Sequence, residues 1–226
     1  METKLQLALD IAHGIWTLHS CGIVHGDIKP ANILISGSDG NYRAKLADFS
    51  HAVYPPAEAP DPVAHLPGGT RIYAAPESQD PAPVSRLKLT DIYSFGLVFA
   101  CLMVGKEIFS KADLADVERQ KRNGTLLQHL HRLILSISDA SLSGLPALCD
   151  ILKLTVQPLP DNRDFAKAIT IIAREIGAPL VFPVSGGSGG LGGTRGNGEG
   201  EEEASATRLG PSQVRRYCDR ACAGHC

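Results

Sequence analysis

The sequence predicts an α+β protein with a mostly helical body and one small β-hairpin. Apolar residues recur at helical spacing in the first twenty residues and in several later segments. Two short runs rich in β-branched residues, at 32–36 and 42–49, flank the turn sequence "GSDGN", which predicts the hairpin. Residues 89–106 are apolar almost all round, which is typical of a helix buried in a core.

The elements follow in a clear order. The segment 3–22 predicts the first helix, with Gly22 as its stop signal. After the hairpin, residues 50–70 are rich in Pro, Ala and Gly and predict an irregular loop. The buried helix at 89–106 could be capped at its start by Thr90 or Asp91. Further helices are predicted at 111–122, 125–137, 144–156 and 163–176.

Composition divides the chain into a domain at residues 1–178 and a tail at residues 179–226. The tail is glycine-rich and then acidic, so we expect it to be disordered. Its final stretch contains Cys218, Cys222, His225 and Cys226, which could supply four zinc ligands. Their spacing matches no established zinc motif, and the role of this terminus stays open.

Charge and hydropathy exclude several function classes. The formal charge is -2, which argues against a nucleic-acid partner or a membrane surface. The longest apolar run, 95–104, is shorter than the roughly 20 residues that span a bilayer. The start lacks the pattern of a signal peptide, so we expect an intracellular, cytoplasmic protein with cysteines as thiols. The oligomeric state stays open.

Four polar residues lie where the hairpin would bring them together. Asp27 and Lys29 share one side of an extended loop, Asn32 follows, and Asp48 ends the second strand. Amide and carboxylate oxygens are ligands that Mg²⁺ takes, and a lysine can neutralise phosphate charge. A separate aspartate can accept a proton from a hydroxyl. The set matches the needs of phosphoryl transfer.

The motifs "HGDIKPAN", "DFS", "GTRIYAAPE" and "DIYSFG" occur in this order within residues 1–176. In order and spacing the chain resembles the C-terminal lobe of the eukaryotic protein kinase family, serine/threonine type. The resemblance implies a protein kinase-like fold. It also implies ATP-dependent phosphorylation of a serine or threonine hydroxyl on a protein substrate, with ATP and Mg²⁺ as cofactors.

The resemblance also implies a role for individual residues. Asp27 would orient the substrate hydroxyl and Lys29 would approach the γ-phosphate. Asn32 and Asp48 would hold magnesium beside the nucleotide, and Leu34 would lie under the adenine ring.

Other positions would support this site. Thr70 would bond to Asp27 and Lys29, and Asp91 would accept hydrogen bonds from the catalytic-loop backbone. Glu77 and Arg163 would form a structural ion pair. The remaining structural positions are His25, a packed histidine, and Phe49 of the "DFS" motif.

Two positions depart from the family pattern. Gly26 stands where most members have an arginine that clamps a phosphate on the activation loop, and residues 51–69 contain no serine or threonine. We therefore expect a kinase that activation-loop Ser/Thr phosphorylation does not switch. Ser50 replaces a glycine whose backbone angles a serine resists.

No V-A-I-K segment occurs in the chain, and its one glycine-rich stretch of the G-x-G-x-x-G type, "GGSGGLGG" at 186–193, lies in the tail with neither a predicted strand before it nor a predicted helix after it, unlike the segments of the family's N-terminal lobe. We therefore expect half of a nucleotide site, in a truncated or fragmentary form of doubtful activity. Two alternatives stay open: a pseudokinase-like, non-catalytic binding or scaffold module, and an unrelated small-molecule kinase. The peptide-binding segments "GTRIYAAPE" and "DIYSFG" argue against the second alternative.

Overall fold

The structure is a computed structural model that describes residues 1–38, 40–54, 61–109, 112–137, 144–180, 182 and 207–208. It confirms the α+β class, with helices forming most of the body. The helices are α1 (Glu2–Ser20), α2 (Val84–Val104), α3 (Leu114–Asn123), α4 (Thr125–Leu135), α5 (Leu145–Thr155) and α6 (Phe165–Glu175). The strands are β1 (Ile33–Ser38), β2 (Asn41–Leu46), β3 (Val63–Ala64), β4 (Ala82–Pro83) and β5 (Thr207–Arg208). Most of the 179–226 tail lies outside the described residues, so its predicted disorder stays a prediction.

Helix α2 is the centre of the core. Every residue from Thr90 to Met103 is buried, and α2 contacts α1, α4 and α5. It approaches α5 so closely that a Cβ at Gly96 would lie 2.4 Å from Thr155 Oγ1, which explains the glycine. By length and composition α2 could cross a membrane, but 83% of its most apolar window is buried inside the domain. That burial is typical of a core helix.

The predicted start of α2 is wrong. The helix begins at Val84, so Thr90 and Asp91 lie inside it and neither is the N-cap. The cap comes from a distant loop, since Asp61 accepts hydrogen bonds from Ser85 N at 2.9 Å and Ser85 Oγ at 2.6 Å. A cap supplied from more than twenty residues away leaves no local signal in the sequence, because cap preferences concern only the residues next to the helix start.

The predicted hairpin is present. β1 and β2 pair antiparallel, from Ile33 opposite Leu46 to Ser38 opposite Asn41. Ile33 and Ile35 point into the core, whereas Leu34 between them is only half-buried and lies on the opposite face. Strand β5 extends the sheet by pairing with β1.

The remaining predicted helices are present, with ends displaced by a few residues. Two begin at aspartate caps that their sequences carry: Asp113 accepts from Ala115 N, and Asp164 accepts from Lys167 N. Gly124 takes a positive φ of 75° between α3 and α4, which lets the chain turn without a break. The short β3–β4 pair was not predicted, and residues 55–60 of the expected loop lie outside the described part.

Arg163 ties the segment before α6 to the start of the core helix. Its side chain is fully buried and forms a two-pronged ion pair with Glu77, at 2.5 and 2.9 Å. It also donates to the carbonyls of Leu89 and Gln157, and its guanidinium lies 4.9 Å from the centre of the Tyr93 ring. The ion pair expected from the sequence is therefore present and partly buried.

Lys121 joins α3 to the loop that precedes β4. It is 3% exposed, and its ammonium donates to the carbonyl oxygens of Arg71 at 2.9 Å, Ile72 at 2.8 Å and Ala74 at 2.7 Å. Burial lowers the pKa of Lys121 to about 8, with Glu118 opposing the shift and Arg71 adding to it. A lysine with three backbone acceptors thus holds this loop against α3.

We expect Glu77→Ala to lower the free energy of unfolding by about 3 kcal/mol, because it leaves the buried Arg163 charge without its carboxylate. Denaturant unfolding measures this change. Asp161→Ala is the control, since the Arg86–Asp161 pair is 48% and 69% exposed and should cost less than about 1 kcal/mol. Equal costs for the two variants would contradict the structural importance of the Glu77–Arg163 pair.

A pH prediction follows from Lys121. In the folded state its pKa is near 8, below the value of 10.5 for an unperturbed lysine, so the unfolded chain holds this proton more tightly. Raising the pH from about 8 to about 10.5 should therefore stabilise the wild type relative to Lys121→Met by about 3 kcal/mol. The measurement is the difference in unfolding free energy between the two proteins near each pH. A difference that does not change with pH would show that folding does not lower the pKa of Lys121.

Candidate active site

The loop at 23–32, called here the catalytic loop, is fixed to the core by Asp91. One carboxylate oxygen of Asp91 accepts from His25 N at 2.8 Å, and the other accepts from Gly26 N at 2.9 Å. His19 Nε2 on α1 also lies 2.9 Å from the Asp91 carboxylate. The His25 side chain is fully buried, and its ring lies 5.1 Å from the ring of Phe49. These contacts leave the next residue, Asp27, in a defined position.

Asp27 is the centre of a hydrogen-bond network. Lys29 Nζ donates to Asp27 Oδ2 at 2.6 Å and to Thr70 Oγ1 at 2.7 Å, while Thr70 N donates to Asp27 Oδ1 at 2.7 Å. Asn32 Nδ2 donates to the Asp27 carbonyl at 2.9 Å and to Oδ2 at 3.1 Å. The structure therefore brings together four of the predicted site residues.

The network keeps Asp27 ionised. Burial by itself would raise the pKa of Asp27, but hydrogen bonds from Lys29 and Thr70 and the Lys29 charge outweigh it and lower the pKa. Each carboxylate oxygen can accept about two hydrogen bonds, and Oδ1 accepts one from the described residues. Asp27 can therefore accept one further hydrogen bond from an incoming hydroxyl.

The hairpin places Asp48 beside the catalytic loop. Ala47 N donates to the Asn32 carbonyl at 2.9 Å, so Asp48 follows directly after this contact. Asp48 has φ of 65°, the single positive value among the non-glycine residues that the structure describes. Its Oδ1 accepts from Ser50 Oγ at 2.7 Å. The two amide hydrogen bonds of Asn32 to Asp27 direct its amide oxygen away from that residue.

The donor chemistry of this region fits magnesium. Asn32 offers an amide oxygen and Asp48 a carboxylate, which are hard oxygen ligands of the kind Mg²⁺ binds with water and phosphate. Leu34 lies on the hairpin face that points away from the core, so it can meet a flat apolar ring placed there. These three residues are the candidates for holding a magnesium-bound nucleotide.

The two departures from the family pattern have a geometric account. Gly26 adopts φ of 76°, and a Cβ there would lie 2.6 Å from the His51 carbonyl oxygen, so a larger residue would be strained. Ser50 does not adopt a positive φ. The resistance expected of a serine at that position therefore does not arise in this conformation.

Three contacts of the site were not predicted. His51 Nδ1 lies 3.9 Å from Asp27 Oδ2, His19 reaches Asp91, and Lys121 binds the carbonyls after Thr70. A lone histidine in a loop and a lysine on a helix carry no local signal for such contacts. For Lys121 the sequence does indicate burial, because this residue lies one helical turn after Val117, on the buried side of α3.

The residues Thr70–Ala74, called here the substrate segment, connect the active site to α3. The Thr70 end bonds to Asp27 and Lys29, and Lys121 binds the carbonyls of the following residues. Ser94 Oγ on α2 donates to the Tyr73 carbonyl at 2.9 Å, so all four carbonyls from Arg71 to Ala74 have a donor.

Comparison with known proteins gives a family for this geometry. Residues 2–164 match the family model described as protein kinase domain. The probable serine/threonine-protein kinase PBL11 of Arabidopsis thaliana is 32% identical over 166 residues, covering 70% of this chain and 40% of that protein. Calmodulin-binding receptor-like cytoplasmic kinase 2 of Arabidopsis thaliana is 37% identical over 112 residues, covering 47% of this chain and 26% of that protein.

A human protein is also similar. Receptor-interacting serine/threonine-protein kinase 1 of Homo sapiens is 29% identical over 123 residues, covering 50% of this chain and 18% of that protein. The chain spans less than half the length of each of these relatives. The family model covers well over half of the chain and includes every residue of the Asp27 network, so the chain belongs to the protein kinase domain family.

Proposed function

We propose that this chain supplies the catalytic-loop half of a serine/threonine kinase site, which transfers the γ-phosphoryl group of ATP to a hydroxyl of a protein substrate. The observation that carries the proposal is the buried Asp27 carboxylate, bonded at once to Lys29 and to Thr70. This arrangement supports a hydroxyl-orienting aspartate with a cation beside it. The names of the relatives favour serine or threonine as the acceptor.

In this mechanism Asp27 accepts a hydrogen bond from the substrate hydroxyl and takes its proton as the new bond to the γ-phosphorus forms and the bond from that phosphorus to the bridging oxygen breaks, so that ADP leaves. Lys29 and Thr70 keep the carboxylate ionised and correctly oriented until then. Lys29 has three N–H donors, and two of them bind Asp27 and Thr70 among the described residues. The third donor can bind an oxygen of the transferred phosphoryl group.

Asn32 and Asp48 would hold magnesium, and Leu34 would contact the adenine. Magnesium, when bound, neutralises charge on the phosphates. The hydrogen bonds from Asn32 to Asp27 fix the distance between the metal side of the site and the hydroxyl side. Positioning of this kind is the main contribution a protein makes to phosphoryl transfer.

The proposal includes a mode of regulation and a location. Gly26 cannot clamp a phosphate, and residues 51–69 offer no serine or threonine to carry one. The substrate segment is instead held by Lys121 and Ser94 without a phosphate. We therefore propose an intracellular kinase whose activity does not depend on activation-loop Ser/Thr phosphorylation.

We expect little phosphate transfer from the 226 residues as they stand, because nothing in the described part closes over the nucleotide and water weakens the electrostatic terms. Fusion of a relative's kinase N-terminal lobe before Met1 should give transfer to serine or threonine. In that fusion, Asp27→Asn should lower kcat by about 10²–10⁴-fold. Radiolabelled ATP with phosphoamino-acid analysis measures both effects.

The matched control is Asp150→Asn, which changes an exposed aspartate on α5 and should leave kcat unchanged. Activity of the fusion that survives Asp27→Asn would contradict the role of Asp27. Strong transfer by the chain alone, lost on Asp27→Asn, would contradict the need for a covering lobe. A folded fusion that never transfers phosphate would favour the non-catalytic binding module.

A further inference from the structure

We propose that Lys121 is a positioning residue that holds the substrate segment in the shape required to dock a protein substrate. The inference deepens the proposed kinase function and rests on it. Lys121 contacts none of the groups at the reacting atoms. It would therefore act on substrate binding rather than on the transfer step.

The hydrogen bonding of Lys121 is complete and has one target. An ammonium has three donors, and here each donor meets a carbonyl of the substrate segment, with N–O distances between 2.7 and 2.9 Å. On the other side of the same turn, Tyr73 N and Ala74 N donate to the Thr70 carbonyl at 2.8 and 3.1 Å. Ala74 N also lies 3.2 Å from the Arg71 carbonyl, so the turn supplies its own donors for the carbonyls of Thr70 and Arg71 and relies on Lys121 for those of Ile72 and Ala74.

Apolar packing does not replace this contact. A cavity of about 110 Å³ lies between α3 and the loop that contains the substrate segment. Lys121 lines the cavity together with Arg71, Ala74, Pro76, Gln79 and Arg122. Lys121 bridges the two elements across this space, and the more exposed Arg71–Glu118 ion pair forms a second bridge.

Burying the charged Lys121 side chain is energetically unfavourable compared with burying an apolar side chain at the same position. Its charge is buried, and the nearby Glu118 carboxylate is already paired with Arg71 at 2.6 Å. The other group facing it is the Tyr93 ring of α2, with its centre 6.0 Å away. An apolar side chain of similar size would leave the carbonyls of Ile72 and Ala74 without this donor, so the buried lysine indicates a requirement for one conformation of the substrate segment.

The substrate segment is also held at Tyr73, independently of Lys121. Tyr73 is buried, its carbonyl accepts from Ser94, and its ring packs edge-on against Phe109 at 5.6 Å. Loss of Lys121 should therefore loosen the segment locally while the core stays folded. The neighbouring Thr70, which binds Asp27 and Lys29, lies at the far end from the Ala74 contact.

The first arm of the experiment does not require kinase activity. Hydrogen exchange of the full chain is compared for wild type, Lys121→Met and the control Lys153→Met, which removes an exposed lysine on α5. We expect exchange of the Tyr73 and Ala74 amides to become about tenfold faster or more in Lys121→Met, with helix α6 unchanged. Unchanged exchange at these amides, or an equal acceleration in α6, would overturn the proposal.

The second arm uses the N-terminal-lobe fusion that tests the proposed function. In Lys121→Met the KM for a protein substrate should rise about tenfold, while kcat and the KM for ATP stay within about twofold of wild type. A fall in kcat with unchanged KM would overturn the positioning role. If no fusion shows Asp27-dependent transfer, the proposed function fails, and the exchange arm still decides whether Lys121 holds the segment.

Discussion

The burial of one carboxylate, that of Asp91, is the constraint on which the catalytic loop depends. Asp91 is 1% exposed and lies in the middle of the core helix, where an unsatisfied carboxylate would be very unfavourable. The loop satisfies it with two backbone N–H groups, those of His25 and Gly26, and α1 contributes His19. The loop can therefore shift only by taking two backbone donors away from a buried carboxylate. This constraint is what makes the position of Asp27 reproducible.

Buried positive side chains hold other loops in the way that the Asp91 carboxylate holds the catalytic loop. Arg163 and Lys121 are buried and both donate to backbone carbonyls of loops around α2. A carbonyl has no fixed partner outside regular secondary structure, so a loop that is buried needs donors from elsewhere. Here long charged side chains supply those donors. The irregular segments that form the site are thus held by a few ions attached to rigid helices.

The departures from the family pattern fall in the region where residues 50–53 cross the catalytic loop. Val24 and Val53 exchange both backbone hydrogen bonds, at 3.1 and 2.8 Å, which holds the two strands of chain side by side. Two residues after Val24, at Gly26, the His51 carbonyl is so near that no Cβ fits without a shift. The crossing is therefore made by close backbone contact rather than by an arginine and a phosphate.

The sequence by itself determined the main helices, the hairpin and the residue types of the candidate site. Helical spacing, the "GSDGN" turn and the apolar segment at 89–106 gave α1, the β1–β2 hairpin and the core helix, because these patterns depend on local geometry. Motif order pointed to Asp27, Lys29, Asn32 and Asp48 as candidate site residues, because their side chains offer the metal ligands, the cation and the proton acceptor that phosphoryl transfer uses.

Only the tertiary structure decided which distant groups meet. The cap of α2 comes from Asp61, the carboxylate of Asp91 is directed to the catalytic loop, and Lys121 reaches the substrate segment some fifty residues earlier in the chain. Each contact joins residues far apart in sequence and satisfies a buried charge or an unpaired backbone group. A charge or a backbone group requires such a partner only after folding has buried it, so no local pattern of residues predicts which partner it finds.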